Sequence, residues 1–187
     1  MTLRRGFKAE ANWYAREMRA ELGISPEGSL CPWKLAKHLG YNILKLSDYL
    51  QWHPVEVAYF GSDRGRREFS AFTINDEGMR WIIHNDYHHP HRQAANISHE
   101  LSHGLLVHAP APLRGSNGAR TFNQQQEEEA NWLGPALLVS EEAALHIIRT
   151  HQPYDVAQKT YGVSGDLLQM RLRVTGAHKR IARSRAA

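Results

Sequence analysis

The spacing of hydrophobic and polar residues follows two periods along the chain, which predicts a mixture of helices and strands. A 3.6-residue period predicts a helix over residues 6–22 and a shorter one over residues 32–39, each ended by a glycine. Runs typical of strands follow at residues 41–46, 55–60, 67–74 and 79–84, with turns between the last three. The pattern therefore predicts an α+β fold with a small, mostly antiparallel sheet.

Residues beyond position 90 have a helical pattern. A helix over residues 93–108 places Ala94, Ile97 and Leu101 on one apolar face, and a second helix covers residues 124–133. Pro135 lacks an amide hydrogen, so we expect that second helix to kink or restart there. Residues 109–120 are rich in Pro and Gly and predict a loop, and helices are predicted at 140–151, 155–161 and 165–174.

The segment His99-Glu100-Leu101-Ser102-His103 carries the clearest chemical signal. Residues four apart lie above one another on a helix, so the imidazoles of His99 and His103 can reach one metal ion. Glu100 is rotated by about 100° from His99, which suits a base acting on water better than a third ligand. This spacing is typical of zinc hydrolases.

The helix over residues 124–133 offers a third ligand. Glu127 and Glu129 lie on either side of its apolar stripe, and helical geometry does not choose between them. Asn131 lies one turn after Glu127 and is predicted to hold the second ring nitrogen of a ligand histidine.

These motifs together resemble the ImmA/IrrE family of metallopeptidases. The family pattern has a strand ending in Asn, an Arg, the HExxH helix and a Glu-x-x-Ala-Asn helix, which match Asn85, Arg92, residues 99–103 and residues 127–131 here. The resemblance covers roughly residues 10–175. The sequence departs from the family pattern in two places, since Ser102 replaces the usual Gly and residues 133–135 replace Phe-Ala-Ala.

The resemblance implies a zincin-like fold in which the sheet packs on the HExxH helix. It makes Glu127 the third ligand of Zn²⁺, although Mn²⁺ also suits two histidines and a glutamate. It implies a regulatory endopeptidase whose protein substrate is a helix-turn-helix transcriptional repressor. The donor that stabilises the oxyanion stays open among His108, His146, Tyr154 and Arg120.

Two other functions remain open. The chain could keep the fold and bind a repressor or antitoxin without cleaving it, as an anti-repressor would. Alternatively, residues 155–174 resemble a helix-turn-helix, with Arg171 and Arg173 facing DNA phosphate, although the same pattern fits a structural helical pair. The histidines between positions 84 and 91 raise the further alternatives of a second metal site or of solvent-exposed side chains.

Charge divides the chain into a body and a basic end. Residues 1–170 carry 17 basic and 19 acidic side chains, and six basic residues with no acidic one follow. We expect one domain over residues 1–175 (N-terminal helices and sheet to 90, ligand helices 91–139, C-terminal helices 140–175) and a flexible basic tail over 176–187, with at most weak affinity for nucleic acid. The single cysteine, Cys31, and the lack of long apolar stretches predict a cytoplasmic protein without a membrane partner, of open oligomeric state.

Overall fold

A computed structural model describes residues 3–108 and 123–186 of the chain. Its first elements are α1 (Phe7–Glu21), α2 (Pro32–His38), β1 (Tyr41–Lys45), a 3₁₀ turn (Leu46–Tyr49), α3 (Pro54–Gly61), α4 (Gly65–Glu68), β2 (Ala71–Asp76), β3 (Met79–His84) and α5 (Pro90–Leu105). The later elements are α6 (Gln124–Leu138), α7 (Glu141–Arg149), α8 (Tyr154–Tyr161), α9 (Gly165–Val174) and α10 (Ala177–Ala186). The predicted α+β class is confirmed, while the predicted loop at 109–120 lies outside the described residues.

The sheet has the order β1-β3-β2 and is mixed. β2 and β3 run antiparallel and are joined by Glu77 and Gly78, whose φ angles of 45° and 81° are typical of a tight hairpin turn. β1 pairs with β3 in parallel, with Ile43 opposite Ile82. The prediction of a mostly antiparallel sheet is therefore wrong for this pair, because the long connection between β1 and β3 allows the two strands to run in the same direction.

Two of the predicted strands are helical in whole or in part. Residues 55–60 lie in α3, where Pro54 occupies the first turn with a φ suited to a helix start. Val57 is buried whereas Val55 is 76% exposed, although a strand with one buried face would bury both. Residues 65–68 form α4, and β2 begins only at Ala71. Short apolar runs fit both periods, so the pattern alone did not separate helix from strand.

Within residues 3–108 and 123–186, the buried side chains form two clusters, and α6 belongs to both. The sheet-side core packs α1, α2, the sheet and α5 against α6, and includes Phe7, Leu35, Ile82, Ile97, Leu101 and Leu137. The helical core packs the end of α6 against the C-terminal helices, and includes Leu138, Ile147, Leu168 and Leu172. Because the adjacent Leu137 and Leu138 face different clusters, α6 is held on two sides.

The helix α6 continues through Pro135 to Leu138, so the predicted restart does not occur. Leu133 and Leu137, on either side of the proline, are fully buried. Their packing in the sheet-side core holds the helix across the residue that lacks an amide hydrogen.

Two buried arginines bind the carbonyl groups at the end of α6. Arg19 donates to the carbonyl of Leu137 at 2.9 Å, and Nε of Arg171 donates to that of Val139 at 2.8 Å. Carbonyls at a helix C-terminus lack helical partners, and cations there complement the helix dipole. Burial lowers the pKa of each guanidinium to about 10. The alternative in which Arg171 faces phosphate is wrong, because this side chain is only 1% exposed, whereas Arg173 is exposed.

The C-terminal helices close the helical core. Ala157 of α8 and Leu168 of α9 are buried in it, which is the arrangement of a structural helical pair. Where the sequence predicts a flexible tail, the structure has the helix α10, whose Ala177 and Ile181 are buried. No helix in residues 3–108 or 123–186 has both the length and the apolar character needed to cross a bilayer.

Candidate metal centre

The helix α5 carries the two predicted histidine ligands on the face opposite its buried one. Pro90 occupies the first turn, where its missing amide hydrogen leaves no bond unmade. Ile97 and Leu101 are fully buried in the sheet-side core. His99 and His103 therefore lie on the other side, where their side chains are 24% and 23% exposed.

Glu127 reaches the same point from α6. Asn123 caps this helix, since its side-chain oxygen accepts hydrogen bonds from the backbone of Gln125 at 3.1 Å and of Gln126 at 3.4 Å. The cap begins α6 just before Glu127, which lies in its first turn and is 32% exposed. The side chains of His99, His103 and Glu127 are thus partly exposed where the two helices meet.

His99, His103 and Glu127 are close enough to hold one ion. The Nε2 atoms of the two histidines are 3.1 Å apart, and the Glu127 carboxylate oxygens lie 3.3 Å from Nε2 of His99 and 3.5 Å from Nε2 of His103. A tetrahedral zinc site with bonds of about 2.05 Å separates its ligand atoms by about 3.3 Å. Among the described residues this is the one group of His, Cys and acidic side chains that converges in this way. Two neutral nitrogens and one carboxylate are a donor set that fits a divalent cation with a coordination position left for water.

Glu100 follows His99 on α5, and its carboxylate is held from the sheet. The hydroxyl of Thr73, on β2, donates to Oε2 of Glu100 at 2.7 Å. This bond orients the carboxylate of the predicted base. Sequence reasoning missed Thr73, and its one signal was a polar side chain among apolar ones on a strand expected to pack on the HExxH helix.

The structure separates the two glutamates that helical geometry left open. Oε2 of Glu129 lies 3.3 Å from Nε2 of His108, and its Oε1 accepts from Nε of Arg4 at 2.9 Å. Its side chain is 6% exposed and does not belong to the ligand group. Nδ1 of His108 is in turn 2.9 Å from Nδ1 of His103. Glu127 is therefore the glutamate in the group that could hold a metal ion, and His108 contacts His103, a member of that group.

Asn131, the predicted partner of a ligand histidine, lies on α6 one turn after Glu127. Asn131 is exposed, and its side chain makes no hydrogen bond within the described residues. The second ring nitrogen of His103 faces His108 instead. The role predicted for Asn131 beside a ligand histidine therefore stays a prediction.

Other predicted residues have structural partners elsewhere. The side-chain amide of Asn85 donates to the carbonyls of Phe60 and Phe69, and Arg92 contacts the carbonyl of Arg66 at 3.4 Å. Of the open oxyanion candidates, the Tyr154 hydroxyl lies 3.3 Å from His178 of α10. His146 lies on α7, and Arg120 lies outside the described residues.

The histidines between positions 84 and 91 do not form a second metal group within the described residues. His88 is 5% exposed, and its ring nitrogens contact the Arg66 carbonyl at 2.8 Å and the Asn96 amide at 3.2 Å. His84 is 1% exposed and packs edge-on against Trp33. These side chains serve the packing of the sheet and the start of α5.

Comparison with known families agrees with this geometry. The profile of the Peptidase M78 family, described as IrrE N-terminal-like domain, matches residues 53–173. This span contains Thr73, Glu100 and all three members of the ligand group, and it covers more than half of the chain. The chain belongs to the Peptidase M78 family, which supports a metallopeptidase-type function. Comparisons with curated proteins and with solved structures gave no significant match.

Proposed function

We propose that this protein is a zinc-dependent endopeptidase with a regulatory role. One observation carries the proposal: two imidazole nitrogens and a carboxylate converge within 4.8 Å of one another. Glu100, which follows His99 on the same helix, has its carboxylate held by Thr73. Family membership supports the same chemistry. A closed structural zinc site normally takes four protein ligands, usually with cysteine, whereas this group has three and no cysteine.

The ligand group, Glu100 and Thr73 would each have a different role in peptide hydrolysis. A divalent cation held by His99, His103 and Glu127 would act as a Lewis acid on the scissile carbonyl and acidify the attacking water. Glu100 accepts the proton of that water and later delivers it to the leaving amine. Thr73 keeps the Glu100 carboxylate in place through both transfers, because its hydroxyl donates to the oxygen Oε2.

Zinc is the metal we propose, with manganese as the alternative. Imidazole suits zinc well, and the separations of 3.1 to 3.5 Å between ligand atoms are close to those of a tetrahedral site. Manganese prefers more oxygen ligands than this group provides.

The substrate we propose is a protein, specifically a helix-turn-helix transcriptional repressor. The support for this class is the resemblance of the HExxH and Glu-x-x-Ala-Asn segments to regulatory metallopeptidases. The partial exposure of all three ligand side chains is compatible with a site that admits an extended peptide.

Cleavage of a peptide library by the metal-loaded protein tests the proposal. A tryptic digest of a bacterial proteome, incubated with purified protein and one equivalent of Zn²⁺, should yield new peptide termini that mass spectrometry detects. Glu100→Gln should bind one zinc per chain but produce none of these termini, since it lacks the base. Glu128→Gln, a matched change on α6, should cleave like the parent.

Two results would contradict this function. The first is a parent protein that binds zinc and leaves every peptide intact. The second is a Glu100→Gln variant as active as the parent, since the base would then have no role. If Glu100→Gln relieved repression in cells as well as the parent did, the non-catalytic binding function would replace the proposed one.

A further inference from the structure

We propose that His108, Glu129 and Arg4 form a positioning chain behind the metal ligand His103. Through this chain, metal binding and docking of the segment before α1 strengthen each other. The inference rests on the proposed metal site. It assigns a role to a buried polar network that the peptidase chemistry itself does not use.

The positioning chain is continuous from the proposed metal site to the segment before α1. Nδ1 of His103 is 2.9 Å from Nδ1 of His108, Nε2 of His108 is 3.3 Å from Oε2 of Glu129, and Oε1 of Glu129 is 2.9 Å from Nε of Arg4. The side chains of His108 and Glu129 are 7% and 6% exposed, so water competes little for these bonds. Gln125 also donates to Oε1 of Glu129 at 3.3 Å.

The ring protons of His108 and His103 can be assigned by starting from the carboxylate of Glu129. Glu129 only accepts, so Nε2 of His108 carries the proton that it donates to Oε2. A neutral His108 then has an unprotonated Nδ1, which accepts from the Nδ1–H of His103. His103 in that tautomer has its lone pair on Nε2, the atom that faces His99 and Glu127. Metal-binding histidines commonly have their second nitrogen fixed by a carboxylate, and here a second histidine lies between the two.

The backbone after α5 is strained in a way that places His108. Val107 has a φ of 52°, a conformation in which a β-branched side chain is a genuine outlier. The amide of His108 bonds to the carbonyl of His103 at 3.0 Å, and that of Val107 to the carbonyl of Gly104 at 3.2 Å. This pair of bonds is a Schellman motif, which usually has glycine where Val107 stands. The motif turns the chain so that the His108 ring returns to His103.

Arg4, at the end of the positioning chain away from His103, anchors the segment before α1. Arg4 bonds to Glu129 and to Glu10 on α1, and its guanidinium lies 5.1 Å from the centre of the Phe7 ring. Phe7 is fully buried in the sheet-side core. A change that orders His103 therefore also orders Arg4, and the coupling must act equally in both directions because it is a free energy shared by two binding events.

Zinc affinity measured by chelator competition tests the positioning role. Glu129→Gln and His108→Phe should each weaken zinc binding by about 10- to 100-fold, the range found for residues that support metal ligands. Arg4→Gln should weaken it less, because it is one contact further away. Glu128→Gln is the matched control on α6 and should bind zinc like the parent.

Two further measurements separate positioning from a general loss of structure. In nitrogen-15 NMR of the metal-free protein, His103 should carry its proton on Nδ1 in the parent and show mixed tautomers in His108→Phe. Zinc should slow hydrogen exchange of the amides of residues 7–10 in the parent but not in Glu129→Gln. Should His108→Phe fail to fold, the exchange and affinity data on Glu129→Gln decide alone.

The outcomes distinguish this inference from the function on which it rests. If the parent binds zinc and Glu129→Gln binds it equally tightly, the positioning chain is wrong and the peptidase proposal stands. If the parent binds zinc with the expected coupling but cleaves no peptide, the chain is supported and the peptidase proposal fails. A parent that binds no zinc overturns both.

Discussion

A Cβ atom added to Gly134 would lie 3.2 Å from the backbone nitrogen of His99 and 3.3 Å from its Cα. The helices α5 and α6 therefore touch through their backbones at the level of His99, the first residue of the proposed metal site. This close approach lets the short carboxylate side chain of Glu127 reach histidines on another helix. The glycine at this position permits the contact at no steric cost.

Enlarging Gly134 should push the ligand helices apart. The neighbouring atoms are backbone atoms of α5, which cannot rotate away, so Gly134→Val should lower the free energy of unfolding by about 2 kcal/mol and weaken zinc binding. Gly134→Ala should have a smaller effect, because the gain of about 1 kcal/mol in helix propensity offsets part of the overlap. Chemical denaturation and chelator competition measure the two quantities.

A control for propensity is available on an exposed surface. Ala9→Val places a β-branched residue on the outside of α1 and should cost less than about 0.7 kcal/mol without changing zinc affinity. If Gly134→Val and Ala9→Val changed the free energy of unfolding and the zinc affinity equally, α5 and α6 would not be in close backbone contact at Gly134.

The hydroxyl of Thr73 should matter for turnover and not for metal binding. Thr73→Val keeps the shape of the side chain but removes the donor to Glu100, so kcat should fall about tenfold, in line with a lost bond to a charged group. Thr73→Ser retains the donor and should keep most of the activity. Steady-state kinetics on a cleaved peptide, with zinc titrations of each variant, check this. A serine variant as impaired as the valine variant would contradict the role given to the hydroxyl.

How far the sequence predicts the structure depends on how local each feature is. The relation of His99 to His103 is set by one helical turn, so spacing alone placed both rings on one face. The short run at 55–60 is predicted as a strand but forms α3. Tertiary contacts bury Val57 and leave Val55 exposed, and the local spacing of apolar residues does not encode these contacts. The choice between Glu127 and Glu129 depends on how α6 is rotated against α5, which the helix sequence does not encode by itself.

The contacts that support the site are the least predictable part. Thr73 precedes Glu100 by 27 positions, and Arg4 precedes Glu129 by 125. Each pair meets because separate elements pack on α5 and α6, so composition and periodicity do not predict which residues become partners. The burial of Arg171 is equally hard to predict, because a charged side chain in a basic segment favours a surface position.

Relief of backbone strain at Val107 should stabilise the protein. The left-handed conformation costs a β-branched residue about 1–2 kcal/mol, and Val107 is 86% exposed, so little buried area is lost on truncation. Val107→Gly should raise the free energy of unfolding by about 1 kcal/mol after allowance for the greater freedom of glycine when unfolded. Val107→Ala retains a Cβ and should gain less. Thermal and chemical denaturation test this, and a glycine variant less stable than the parent would refute it.

Buried His84 should make the protein less stable in mild acid. Burial lowers its pKa from the usual 6.5, and the positive charge of Lys45 adds to this effect while Asp86 opposes it. Neither ring nitrogen has a hydrogen-bond partner among the described residues. His84 in the unfolded chain therefore binds a proton near pH 6.5, whereas in the folded chain it does so only at lower pH. The free energy of unfolding thus falls as the pH drops below 6.5 towards the lowered pKa.

His88, whose pKa burial also lowers, contributes to the same acid loss, so a variant is needed to isolate His84. His84→Leu removes the titrating group, and its free energy of unfolding should fall less steeply than that of the parent between pH 6.5 and 5. Urea denaturation of both proteins without metal gives the two curves, and their difference belongs to His84 because all other histidines are shared. Parallel curves across this range would mean that His84 accepts its proton in the folded state as readily as in the unfolded one.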